Sequence, residues 1–166
     1  MTFDPNSYDL SVYIRRFNFA SGEWISIRCK DYAPESVHPG RGGRFHHIGT
    51  PAYYAASGIS TARVELWNNS SAAIPETHEV FSFPEGEYKL FDVGKFVDDH
   101  PEASGVLDPN SHDDGIRLRT ALENISCSGV TFPSTRDDGG INASVWPLDG
   151  TPLTYGTFFR PYQGPR

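Results

Sequence analysis

The placement of 16 glycines and 13 prolines in 166 residues is what most restricts how this chain folds. Glycine loses conformational entropy inside an element, and proline cannot donate to a helix or sheet ladder, so clusters of the two end elements. Residues 33–43 hold two prolines and three glycines and read as a loop. Pro84-Glu85-Gly86 reads as a turn, and residues 133–140 as a turn-rich loop. Only short elements fit between these breaks. Strands are expected over 24–28, 52–56, 78–83, 88–93, 129–132 and 142–146. A helix is expected to run to Trp67, with Ser57 or Ser60 as the cap. Ile116, Leu118, Ala121, Leu122 and Ile125 have helical spacing. Residues 97–112 read as loop or short helix, and the first 20 as a polar, irregular arm or a segment that packs late. The sum is a compact mixed α+β fold in a single domain over 1–166, long enough to bury a core. Residues 1–25 form an N-terminal extension to it.

The formal charge is -7 and the pI about 5.3. That balance argues against general nucleic-acid or anionic-membrane binding, which needs a basic surface. A small anionic ligand stays compatible, because a few arginines can make a local positive pocket. Two cysteines, Cys29 and Cys127, read as reduced, buried thiols rather than a disulfide framework. Met1 to Leu10 is polar and does not resemble a signal peptide, and no window reaches the length of an apolar membrane span. The expectation is a cytoplasmic protein, with delivery into another cell as an effector left open.

Several chemical motifs are absent. Gly40-Arg41-Gly42-Gly43-Arg44 matches neither GxGxxG nor a Walker loop, and there is no GxSxG elbow. His46 and His47 resemble a metal pair, but neighbours in an extended segment point to opposite faces. With no HExxH and no CxxC, no metal is expected. Asp113-Asp114 and Asp137-Asp138 read as solvated loop carboxylates, and nothing marks Cys127 as a nucleophile.

The run from Gly42 to Trp67 differs. Gly42 and Gly43 permit a tight turn or close approach to a ligand. Arg44 brings a planar fork suited to phosphate. Tyr54 offers a ring face and a hydroxyl, and Glu65 lies on the expected helix. Each alone has an ordinary explanation: a surface charge, a core aromatic, an exposed helix residue.

Together they carry a resemblance. Gly42-Gly43-Arg44-Phe45, Gly49-Thr50-Pro51, Tyr54, Ser57, Ala62 and Glu65 are similar in order and spacing to a motif of the RES domain. That family is named for an arginine, a glutamate and a serine. Gly129-Val130-Thr131-Phe132-Pro133-Ser134-Thr135-Arg136, then Gly139-Gly140 and Asn142, resembles the segment around its serine. The likeness spans about Arg28 to Trp146. Phe45, His46 and Phe132 depart from the Trp, Asn and Tyr usual there. The first two bear on how the loop beside Arg44 packs.

The resemblance implies a fold similar to ADP-ribosyltransferase toxins, with short central β-sheets. It implies a bacterial toxin that cleaves the nicotinamide–ribose bond of NAD+ by hydrolysis or phosphorolysis. NAD+ is then substrate and no cofactor is needed. Carried over by motif, Arg44, Glu65 and Ser134 are the catalytic candidates. Arg28, Tyr54 and Gly43 are the substrate-binding ones, with Arg15 or Arg16 as alternatives to Arg28. Arg44 would clamp the pyrophosphate. Glu65 would accept from a ribose hydroxyl and stabilise an oxocarbenium-like charge. Tyr54 would stack on nicotinamide or adenine. Ser134 would bond the nicotinamide side or hold Glu65, since no partner is evident to activate it. The implied protein partner is an antitoxin that occludes the site, and a homodimer is one option for assembly. Alternative readings are a mono-ADP-ribosyltransferase acting on a protein and a non-catalytic NAD-binding module.

Overall fold

The computed structural model describes residues 2–19, 24–29, 43–69, 78–83, 85–148 and 158–161. Its strands are β1 (Ile14–Phe19), β2 (Ile25–Cys29), β3 (Tyr53–Ala56), β4 (His78–Ser82), β5 (Gly86–Asp92), β6 (Gly129–Pro133), β7 (Ile141–Val145) and β8 (Phe158–Pro161). They form one sheet in the order β1-β5-β6-β7-β3-β2-β4-β8. Every pairing is antiparallel except β5 with β6. A parallel pair needs a crossover. The chain supplies it with α2 (Val93–Asp99), a 3-10 turn (Pro101–Leu107) and α3 (Asp113–Asn124). The remaining α-helix, α1 (Ile59–Asn69), follows β3.

Side-chain alternation gives the central strands two apolar faces. On one, Val130, Phe132 and Trp146 pack with Phe45, Phe91, Phe96, Leu118 and Leu122. On the other, Tyr53, Ala55, Leu90, Ala143 and Val145 meet Phe19, Phe81 and Phe83. Phe19 belongs to β1 at one edge of the sheet, and Phe83 directly follows β4 near the other. Their rings are 5.6 Å apart, and Trp24 lies 5.5 Å from Phe19. Contact between such distant strands requires the sheet to curl around this second core.

The N-terminal residues are not an irregular arm. Phe3, Leu10 and Tyr13 are buried in the first core, and Tyr8 packs edge-on against Phe96 at 5.1 Å. Asp4 and Asp9 cap two 3-10 turns, Pro5–Ser7 and Leu10–Tyr13, by accepting from Asn6 N and Ser11 N. Residues 97–112 are largely helical, beginning in α2, whose N-cap is Asp92. The strands flanking Pro84-Glu85-Gly86 do not pair with each other: β4 joins β2 and β8, and β5 joins β1 and β6. Cys127 is buried and donates to the carbonyls of Gly129 and Lys89 at 3.2 and 3.3 Å, and burial pushes its thiol pKa up. The Cys29 side chain lies outside the described residues.

Candidate active site

The site begins with a two-residue turn. Gly43 N donates to His46 O at 3.0 Å and His46 N to Gly43 O at 3.2 Å, which leaves Arg44 and Phe45 at the corners. Phe45 anchors it. Its ring is fully buried, 5.1 Å from that of Phe132. Its N–H donates to the Tyr54 hydroxyl at 3.1 Å, and its carbonyl accepts from Arg119 Nη1 at 3.0 Å. Arg119 is itself buried, ion-paired with Glu123 and laid over the Trp146 ring at 4.7 Å. Helix α3 approaches so closely that a Cβ at Gly115 would clash with the Arg44 carbonyl. Gly43 is required by space too. A Cβ there would lie 2.5 Å from His46 Cε1 and 2.8 Å from the Tyr54 hydroxyl. Two of the three residues that depart from the family pattern thus fill the turn's own interior: Phe45 is core, and His46 Nδ1 sits 2.8 Å from the Tyr54 hydroxyl. His46 is buried and its neighbour His47 exposed.

Arg44 extends from this turn over the ring of Phe132, 5.3 Å from its centroid. Its Nε is buried and has no hydrogen-bond partner among the described residues. Burial lowers its pKa, opposed by the nearby Tyr54 and Glu65 and reinforced by Arg136. Arginine keeps its charge regardless, so this cation is poorly solvated and incompletely paired. Tyr54 projects from β3. Burial pushes its pKa up to about 12, and its hydroxyl is committed to the turn, which leaves its ring as the surface for a ligand.

Glu65 approaches from α1. Its Oε1 accepts from Ser134 Oγ at 2.6 Å and from Asn142 Nδ2 at 2.8 Å. Ser134 directly follows β6, and its hydroxyl also accepts from Arg136 N at 3.1 Å and Asp137 N at 3.0 Å. One donor and two acceptor positions are all a hydroxyl has, so Ser134 is saturated. The loop it opens is closed by Ser134 N to Gly140 O and Gly140 N to Asp137 O, each 2.9 Å. Thr61, one turn before Glu65 on α1, clamps that loop by donating to Asp137 Oδ2 at 2.6 Å.

Arg44, Tyr54, Glu65, Arg136, His112 and Asn142 share one cleft of about 540 Å³, with Ile25 and Ile27 of β2 on its wall. Gly43 also lines it, and Ser134 supports it from behind Glu65. Arg28 is the next residue of β2 after Ile27, and its side chain lies outside the described residues. Arg15 and Arg16 sit on β1 at the far edge of the sheet, exposed, with Arg16 paired to Glu87 at 2.8 Å. Neither lines the cleft. Asn142 and Arg136 stood in the quoted motif without a role. Arg119 and Gly115 carried no signal, because their partners lie some 70 residues away in the chain. Among the described residues no cluster of three or more His, Cys, Asp or Glu could hold a metal, and no helix is long and apolar enough to cross a membrane. The arrangement sets guanidinium groups, which suit an anion, beside an oriented carboxylate, which suits a positive charge.

The fold is a mixed α+β domain with one cleft-lining site, and comparison with known proteins gives its family. The RES domain profile matches residues 23–155. The chain belongs to the RES-domain family. Among solved structures it is similar to the toxin chain of the M. tuberculosis MbcT–MbcA toxin–antitoxin complex, with a TM-score of 0.63 at 14% identity, over 92% of this chain and 90% of that one. No curated protein sequence matches it.

Proposed function

We propose that this RES-domain protein is a toxin that cleaves the nicotinamide–ribose bond of NAD+ by hydrolysis or phosphorolysis. The observation that carries the reading is the pairing, across one cleft, of the under-partnered Arg44 guanidinium with a Glu65 carboxylate held by two donors. NAD+ needs both: a cation for its pyrophosphate and an anion beside the ribose carbon that becomes electron-deficient. Nicotinamide departs as a neutral molecule, so no general acid is required. Glu65 stabilises the oxocarbenium-like charge and orients the attacking water or phosphate. The Tyr54 ring offers a stacking wall for one of the bases. Arg28, from β2, is the proposed second phosphate contact. NAD+ enters as substrate, with no cofactor. Similarity to a chain of a toxin–antitoxin complex supports a cognate antitoxin as partner, and its proposed action is to occlude this cleft.

The test is nicotinamide release from NAD+ by the purified protein, with and without phosphate, beside Glu65→Gln. Release that the variant loses by on the order of 100-fold or more is expected. Faster release in phosphate identifies a phosphorylase. No release from folded wild type overturns the reading. ADP-ribose label appearing on a protein instead would identify a transferase.

A further inference from the structure

We infer that Asn142 is a positioning residue for Glu65, one that decides which carboxylate oxygen meets the substrate; the inference rests on the NAD+-cleaving reading above. Both donors converge on one atom. Ser134 Oγ and Asn142 Nδ2 lie 2.6 and 2.8 Å from Glu65 Oε1. Among the described residues Oε2 receives no hydrogen bond. A carboxylate oxygen accepts about two hydrogen bonds, so Oε1 is filled and, among the described residues, Oε2 is the open acceptor. The amide orientation follows from chemistry, because an ionised carboxylate can only accept and Asn142 must present its NH₂.

The backbone explains why Asn142 can do this rigidly. It sits in β7, paired with Ala56 of β3 on one side and Phe132 of β6 on the other. It is 8% exposed. Ser134 belongs to a loop, whereas Asn142 is fixed inside the sheet. The loop donor and the sheet donor together tie the α1 carboxylate to β7. The acceptor used by a ribose hydroxyl or the incoming nucleophile is then Oε2, aimed by the two donors to Oε1.

The experiment compares wild type, Glu65→Gln, Asn142→Ala and Asn142→Asp for kcat and KM across pH, with direct NAD+ binding and thermal melting measured alongside. Asn142→Ala is expected to lower kcat on the order of 10- to 100-fold while NAD+ affinity changes less than about threefold. Asn142→Asp gives the sharper readout. Two carboxyls this close share a proton, and the shared proton restores a donor to Oε1. Its kcat should approach that of wild type at acid pH and fall at alkaline pH to the level of Asn142→Ala, a limb that wild type and Asn142→Ala lack. A purely structural tie would change melting temperature without this limb. Should Asn142→Ala fail to fold, the limb in Asn142→Asp decides alone. Wild-type kcat in folded Asn142→Ala, or a flat profile in Asn142→Asp, overturns the inference while Glu65→Gln still supports NAD+ cleavage. No nicotinamide release by wild type overturns both.

Discussion

Thr61 and Glu65 lie one turn apart on α1 and hold one short loop at two points, Thr61 through Asp137 and Glu65 through Ser134. The helix therefore positions the catalytic candidate and clamps the segment that orients it. Thr61→Ala removes a hydroxyl that is 6% exposed from a charged acceptor. A hydrogen bond to a charged group contributes roughly 1.5–3 kcal/mol. Urea denaturation should show a loss of that order, and nicotinamide release should fall more than NAD+ binding does.

Ser134 has no spare hydrogen-bonding position, so the role proposed for it is to hold Glu65 and not to attack. Ser134→Ala is expected to keep measurable turnover, about 10- to 100-fold below wild type. Intact-protein mass spectrometry during turnover should find no ADP-ribosyl adduct on Ser134. A stable adduct there would contradict the geometry.

Tyr54 makes stability depend on alkaline pH. Its pKa is raised by burial from 10.0 to about 12, so the folded state keeps a proton that the unfolded chain releases. The contribution is complete below pH 10 and is lost as pH rises through about 12. Two units correspond to about 2–3 kcal/mol. Melting curves between pH 9 and 12 should fall more steeply for wild type than for Tyr54→Phe. At neutral pH the variant should be the weaker by roughly 1–3 kcal/mol, because the buried Phe45 N–H loses its acceptor.

Gly115→Ala tests the contact between α3 and the Arg44 turn. The added methyl meets the Arg44 carbonyl, a backbone atom with little freedom to retreat. Overpacking of this kind costs typically about 1–3 kcal/mol. Denaturation should show that loss, and isothermal titration should show weaker NAD+ binding, since Arg44 moves with its carbonyl.

Local pattern made much of the architecture readable. The apolar spacing of Leu118, Ala121 and Leu122 marks α3, and β6 and β7 lie within a residue of where runs of sheet-forming residues put them. Strand partners were not readable, because Pro84-Glu85-Gly86 signals a turn but not which strands the flanking segments join. The polar run before β1 reads as an irregular arm because a capping carboxylate, such as Asp4 or Asp9, and a solvated one look alike in sequence. Motif resemblance brought Arg44, Tyr54, Glu65 and Ser134 forward, and the fold gathers them around one cleft. The residues that hold them, Arg119, Gly115 and Thr61, act through contacts more than 70 positions away, which no local pattern encodes.

Those separations also order events during synthesis. The donors to Glu65 lie 69 and 77 residues downstream of it, and Arg119 follows the turn it braces by 74. A ribosome delivers a chain from its N-terminus at about 5–20 residues per second. A nascent chain that has exposed both Arg44 and Glu65 still lacks the parts that aim them. The cleft becomes complete only after β7 emerges, so its walls are gathered long after the residues it displays have been made.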